Sequence, residues 1–395
     1  MRIALVGTRG VPARYGGFET CVEEVGRRLV KAGHEVVVYC RTHEDDLPPA
    51  PADSIESDAA ALATMSAAGS TISEYEGMQL VHLGAVSKKA LETLSHTALS
   101  VAHIRKNPVD VAVVFNSANS PFVPLLRRAG IPVATHVDGL EWKRSKWQGA
   151  GSRYYRVAEA MAVRWSDALI ADAQGIADYY RQEFDADTEL IAYGAPILAD
   201  EKHELIGQVG VEPGRFHLVV ARFEPENHVD MIVDGYRRSS AELPLVVVGS
   251  APYSDEYTAR VHELGDDRVI FTGGVWDQEL LDQLYANCAT YLHGHSVGGT
   301  NPSLLRAIGA GAATLAYNVN FNREVLQDTG RYFDDAQDVA ALIEDAERHP
   351  LETAERGADA RRIAYRYDWD DVAARYEALC ERLLVTGVRS RRVAG

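Results

Sequence analysis

This sequence predicts an α/β protein with two parallel-sheet domains, on three observations. Apolar, strand-like runs alternate with helical stretches from the first residue to about residue 335. Two of the runs, Val111-Ala112-Val113-Val114-Phe115 and Leu245-Val246-Val247-Val248, are continuously apolar, as strands covered by helices on both faces require. A length of 395 residues suits two domains of ordinary size better than one.

In the first half, strands are predicted at 2–7, 35–40, 79–83, 110–115, 132–136, 168–172 and 188–191. In the second half they fall at 216–220, 244–249, 268–272, 289–292 and 312–316, and beyond residue 335 the pattern is helical to the end. Tyr193-Gly194-Ala195-Pro196 interrupts the alternation and marks the boundary. The expectation is a Rossmann-like domain over 1–194, a second over 195–367, and a C-terminal helix with its tail over 368–395. Residues 43–75 hold seven carboxylates, no Lys or Arg, and many Ala, Ser and Pro residues, so they are predicted to be a flexible insertion. Two such domains facing a central cleft would bind a ligand at the carboxyl ends of both sheets.

A composition of 46% apolar and 25% charged residues is that of a soluble globular chain. No apolar run reaches the roughly 18 residues of a membrane span, and Met1-Arg2-Ile3-Ala4-Leu5-Val6-Gly7 opens as a strand, not a signal peptide. Four scattered cysteines without a C-x-x-C pair argue against a zinc or disulfide framework and fit a cytoplasmic protein. The net charge of −17 argues against a general nucleic-acid binder. Against it stands a basic island, Lys143, Arg144, Lys146, Arg153 and Arg156. It reads either as a solvated helix face or as a surface for an anionic acceptor or a membrane.

The most informative stretch runs from Leu292 to Leu305. A buried strand gives way to a glycine loop, Gly298-Gly299, then to a helix opened by Thr300 or Asn301 with Pro302 in its first turn. Such a start leaves backbone N–H groups free at the positive end of the helix dipole, with no Cβ to hold an anion away. The plain alternative is a strand–loop–helix joint that binds nothing. In the first half, a long loop from Gly7 ends in Gly16-Gly17 at another helix start. It is neither a G-x-G-x-x-G nor a G-x-x-x-x-G-K-[ST] loop, but its amides suit a diphosphate or a sugar hydroxyl. Arg222 offers a bidentate, permanently charged contact to phosphate, or a structural ion pair with Glu224 or Glu226. His136 ends a strand and faces either the cleft or the core. Asp138 and Glu141 either orient an acceptor hydroxyl, beside Lys143 and Arg144, or cap the helix that follows. His293 and His295 alternate on one strand face, but no third ligand for a metal is evident, so none is expected.

These motifs resemble those of GT-B-fold glycosyltransferases of the retaining family 4 type. Gly16-Gly17-Phe18-Glu19 followed by Gly33-His34-Glu35-Val36 resembles the family's opening unit. Val220-Ala221-Arg222-Phe223-Glu224-Pro225-Glu226-Asn227 resembles its G-R-x-x-x-E-K segment, and Phe271-Thr272-Gly273-Gly274-Val275 the loop that meets the nucleobase. Residues 7–20, 136–147 and 295–305 are similar to a subgroup that includes bacterial β-1,4-rhamnosyltransferases of cell-surface polysaccharide assembly. Two departures stand out. Gly298 and Arg306 replace the family's two glutamates, the second of which holds the donor ribose, and Asn227 replaces its phosphate-binding lysine.

The resemblance implies a metal-independent hexosyltransferase without a cofactor. It would move a sugar, rhamnose from dTDP-rhamnose in the subgroup's case, onto a glycan or lipid-linked acceptor at the inner face of the membrane. His136 and Arg222 would be catalytic. The donor would be held by Gly16, Gly17, Asn227, Gly274, Val275, Gly298, Gly299, Thr300, Asn301, Ser303 and Arg306, and the acceptor by Asp138, Glu141, Lys143 and Arg144. The helix at 368–387 would pack back on the first domain. A sugar-nucleotide epimerase of the same fold and a non-catalytic nucleotide-sugar-binding subunit are the rival readings.

Overall fold

A computed structural model describes residues 1–13, 16–42, 71–86, 91–137, 140–143, 149–198, 202–249 and 255–387. Its contacts divide the chain into two compact units. The first is drawn from residues 1–142, 147–191 and 370–395, the second mainly from 192–369.

The first unit is built on an eight-stranded sheet. Its strands are β1 (Arg2–Val6), β2 (Glu35–Arg41), β3 (Thr71–Tyr75), β4 (Met78–Leu83), β5 (Val111–Phe115), β6 (Val133–Val137), β7 (Ala168–Ala171) and β8 (Glu189–Leu190). They lie in the order β3-β4-β2-β1-β5-β6-β7-β8. Every pairing is parallel except β3 with β4. The core forms where alternate residues of β1, β2 and β5 meet the helices Glu92–Lys106 and Val123–Arg128, with Ala4, Val37, Val101, Ala112 and Leu126 essentially inaccessible.

β3 corrects the reading of 43–75 as one flexible insertion. Residues 71–75 are an edge strand, joined to β4 by a two-residue turn in which Glu76 (φ 50°) and Gly77 (φ 76°) both have positive φ. That backbone twist matches a tight hairpin, and glycine at its second position makes it accessible. The strand itself is mostly exposed, so it lacks the apolar signal that marks its neighbours. Residues 43–70 of the expected insertion lie outside the described residues.

The second unit has a six-stranded, wholly parallel sheet. Its strands are β9 (His217–Val220), β10 (Leu245–Val248), β11 (Val269–Gly273), β12 (Thr290–His293), β13 (Thr314–Tyr317) and β14 (Arg331–Phe333), in the order β11-β10-β9-β12-β13-β14. The three-residue β14 was not predicted, being too short to show a period. Val219, Leu292 and Phe333 share a core with Ile232 and Val233 of the helix Val229–Arg238 and with Val339 and Ile343 of the helix Ala336–Arg348.

In each sheet the order reverses beside the unit's first strand, between β1 and β5 and between β9 and β12. Loops leaving the carboxyl ends of such a strand pair diverge and leave a crevice, the usual ligand position in open α/β sheets. Both units are therefore Rossmann-like.

The helix Trp369–Thr386 begins where the second unit ends. From Asp370 onward it belongs to the first. Asp370 pairs with Arg28, Glu377 accepts from His34 at 2.7 Å, Tyr376 meets buried Cys21, and Arg382 pairs with Glu189 at 2.6 Å. Among the described residues, no helix is long and apolar enough to cross a membrane.

Candidate functional site

In the second unit, two loops leave the reversal point. One follows β9 and carries Arg222, Glu224 and Asn227; the other follows β12 and carries the glycines. Asn227 joins them. Its amide nitrogen donates to the Arg222 carbonyl at 2.7 Å, and its amide oxygen accepts from His295 Nδ1 at 2.7 Å. The Ser296 amide and hydroxyl donate to the Glu226 carbonyl at 2.9 and 3.1 Å. His228 Nδ1 meets the Gly294 carbonyl at 2.8 Å while its ring stacks on Tyr317 at 4.1 Å. A Cβ on Gly294 would overlap the Asn227 carbonyl oxygen, so only glycine allows the loops to close so tightly.

This geometry gives Asn227 a part within the protein: both ends of its amide are engaged and the residue is buried, so it fixes the loop that carries Arg222. Arg222 is the outward member: its side chain is 56% exposed and its nearest carboxylate, Glu224, lies at 3.8 Å. An exposed pair at that distance contributes little, so the guanidinium can leave it for an incoming anion.

Helix Pro302–Ala310 opens as the sequence predicts. Asn301 is its N-cap, accepting from the Ser303 amide at 2.9 Å, and Pro302 takes the first helical position. Gly298, with φ 133°, adopts a backbone conformation that other residues rarely reach. Gly299 is half-buried and Thr300 buried beside it.

Ser303 is not available to a ligand as expected. Its hydroxyl lies 2.6 Å from the Tyr285 hydroxyl, 2.7 Å from that of Tyr291 and 3.2 Å from the Val220 carbonyl. The hydroxyl is thereby engaged on three sides within the protein, and its amide serves the cap. Arg306 is also turned aside. It forms an ion pair with Asp282 of the helix Gln278–Asn287, whose carboxylate also accepts from Gln278 at 2.9 Å. Neither network has a signature in the sequence, since each joins residues distant along the chain. On the far side of the sheet, Gly274 is exposed and Val275 half-buried, followed by a Trp276 that is 70% exposed.

In the first unit, the glycine-opened helix Gly17–Lys31 is arranged differently. Gly16, with φ 116°, precedes it, and the Glu19 carboxylate folds back over the opening: a Cβ on Gly16 would overlap it, and it accepts from the Arg9 amide at 3.0 Å. Glu23 accepts similarly from the Ala13 amide at 2.5 Å. With a carboxylate already at the positive helix end, this start suits a hydroxyl group better than a diphosphate.

His136 lies one residue before the end of β6 in a fully buried aromatic layer, stacked on Phe115 at 5.4 Å and edge-on to Phe18 at 5.2 Å. Burial lowers its pKa to about 3, so the ring is neutral throughout the physiological range. Glu141 is buried in a short 3₁₀ turn with Trp142 and exposed Lys143. Asp138 and Arg144 lie outside the described residues. The exposed Arg156 guanidinium stands 5.3 Å over the Trp142 ring. Among the described residues, no group of three His, Cys, Asp or Glu side chains is placed to hold a metal ion.

Two family models match the chain, the glycosyl transferase 4-like domain over residues 16–194 and glycosyl transferases group 1 over 202–363. A curated relative is the GtfA subunit of UDP-N-acetylglucosamine–peptide N-acetylglucosaminyltransferase from Streptococcus gordonii. It is 26% identical over 117 residues, which span 29% of this chain and 22% of that protein. Among solved structures, sucrose-phosphate synthase from Thermosynechococcus elongatus superposes with a TM-score of 0.80 at 18% identity, covering 98% of this chain and 99% of that one. Anabaena HepE in complex with UDP-glucose gives 0.74 at 17% identity, covering 96% and 100%. With two parallel-sheet α/β units, each matched by a glycosyltransferase model, the chain belongs to the glycosyltransferases of GT-B architecture.

Proposed function

We propose that the second unit holds a nucleoside-diphosphate sugar and that the chain passes its sugar to a glycan or lipid-linked acceptor received by the first unit. One observation carries this reading: Arg222, outward and weakly paired, and the glycine-opened start of the helix Pro302–Ala310 leave the same reversal point, between β9 and β12. As the glycosidic bond breaks, the sugar gains positive character and the diphosphate negative charge. Groups fixed in advance toward that charge lower the barrier most. The Gly299 and Thr300 amides and the Arg222 guanidinium are such groups, so charge neutralisation is assigned to them and not to a metal. Retention of anomeric configuration, with the departing phosphate as base, rests on the resemblance to family 4. His136, neutral by burial, would act as a hydrogen-bonding group and not as an acid or cation.

The donor is proposed to be a thymidine diphosphate sugar, dTDP-rhamnose by resemblance. Arg306, held by Asp282, offers no acceptor for a ribose hydroxyl pair, and a 2′-deoxyribose forgoes less by its absence than a ribose does. Exposed Arg153 and Arg156 supply positive charge for an acceptor that carries phosphate, as a lipid-linked glycan does. Four free cysteines fit a cytoplasmic site for the reaction.

Arg222→Ala should abolish transfer and weaken nucleotide binding by roughly 1.5–3 kcal/mol, the scale of a charged hydrogen bond. Near-normal titration calorimetry and turnover in that variant would remove Arg222 from the site. Against wild type, dTDP should bind at least as well as UDP, and Arg306→Glu should shift the preference toward UDP. Arg306→Gln serves as the control that places no like charge opposite Asp282.

A further inference from the structure

His293 takes no part in the reading above, yet it is buried at the reversal point. It is the last residue of β12, beside the end of β9. Side chains two apart on a strand share a face, and Tyr291 shows which face this is, because its hydroxyl reaches Ser303 in the first turn of the helix Pro302–Ala310. One pleat nearer the carboxyl edge, His293 therefore lies beneath the glycine loop that enters that helix. It is 4% exposed. Its Nδ1 meets the Tyr291 hydroxyl at 3.1 Å, and its Nε2 is buried with no hydrogen-bond partner among the described residues.

A buried imidazole nitrogen without a partner is costly and rarely retained without a use. The surrounding network suggests which use. A relay serves the three shortest contacts with one proton each: Tyr285 donates to Ser303 at 2.6 Å, Ser303 to Tyr291 at 2.7 Å, and Tyr291 to His293 Nδ1 at 3.1 Å. That arrangement leaves the ring proton on Nε2. Burial lowers the pKa of His293 to about 3, so the ring remains a neutral donor at any physiological pH.

We propose that His293 Nε2–H is a hydrogen-bond donor to the diphosphate of the bound nucleotide, from beneath the loop whose amides meet it from above, with Tyr291 and Ser303 as positioning residues. This rests on the donor-binding reading of the second unit and adds a residue to it. The glycine loop supplies N–H groups at a helix start, and His293 adds one that is fixed from the strand side and independent of helix fraying.

The test compares diphosphate with monophosphate. UDP, UMP, dTDP and dTMP are titrated calorimetrically into wild type, His293→Phe and Tyr291→Phe, with thermal midpoints recorded for each. Wild type should prefer the diphosphates, and His293→Phe should reduce that preference roughly five- to tenfold, the equivalent of one hydrogen bond, while monophosphate affinity holds. Tyr291→Phe leaves the ring in place but frees it to turn, and should reduce the preference about threefold. It carries the test if His293→Phe does not fold. An unchanged preference in a folded variant overturns the role of His293. Absence of any nucleotide binding by wild type would instead overturn the donor site itself.

Discussion

The two helix starts that open on paired glycines have the same local sequence logic and opposite electrostatics. At Gly16-Gly17, the residue three positions on is Glu19, whose carboxylate occupies the positive end of the helix and takes the Arg9 amide. At Gly298-Gly299, the helix is capped by the uncharged Asn301, and the residues facing it from below are hydroxyls and a neutral imidazole. An anion can therefore add to the second start but meets a like charge at the first. Paired glycines permit close approach; the neighbouring side chains decide what approaches.

Substituting the glycines should separate the regions most sharply. Gly294→Ala sets a Cβ against the Asn227 carbonyl, which belongs to the backbone and cannot swing away. The expected loss is about 3 kcal/mol of stability together with nucleotide binding. Gly16→Ala meets only the movable end of Glu19, and should cost about 1–2 kcal/mol for its positive φ while leaving nucleotide affinity intact. Denaturant unfolding and calorimetry on both variants decide this; equal damage to nucleotide binding would erase the distinction.

Ser303→Ala should come next, at roughly 1–3 kcal/mol, because it strips a partner from the buried Tyr285 and Tyr291 hydroxyls. Thr20 makes one exposed hydrogen bond, to the Gly16 carbonyl at 3.2 Å, so Thr20→Ala should change unfolding by less than about 0.5 kcal/mol.

Acid should treat the two regions alike. His136 and His293 are each lowered by burial to about 3, so as pH falls below about 6.5 the unfolded chain takes up the proton first. Each histidine then reduces stability by about 1.4 kcal/mol per pH unit until the folded ring titrates near 3. Replacing either with Phe should flatten the acid limb of the stability curve by the same slope. A flattening from only one of them would show that the other is solvated in the folded state.

A small effect is also expected for Glu19→Gln, about 0.3–1 kcal/mol of helix-end stabilisation. Its value is in sign: phosphate affinity at the first start should rise, and an unchanged affinity would mean that the carboxylate does not guard it.

Much of this was legible beforehand. The buried parallel strands declared themselves through runs such as Val111–Phe115, and Asn301-Pro302 announced a capped helix. Other features were not legible, for physical reasons. β3 is exposed on an edge and carries no apolar pattern, and β14 has three residues. Ser303 and Arg306 stand at ligand-like positions along the chain, but the partners that claim them, Tyr285, Tyr291 and Asp282, come from other elements. A motif fixes where a residue begins; which way its side chain turns is settled by whatever the fold brings alongside.

The return of the last helix has a consequence for biosynthesis. Residues from Asp370 onward complete the first unit, pairing with Arg28, His34 and Glu189, whereas the second unit closes at Trp369. On the ribosome the later-encoded unit is therefore the first whose sequence is all present. The earlier one waits, with Cys21 without its Tyr376 contact, until the last helix emerges. A stop codon just after Trp369 would then leave an intact second unit and strand the first as a folding intermediate, open to chaperones and proteases.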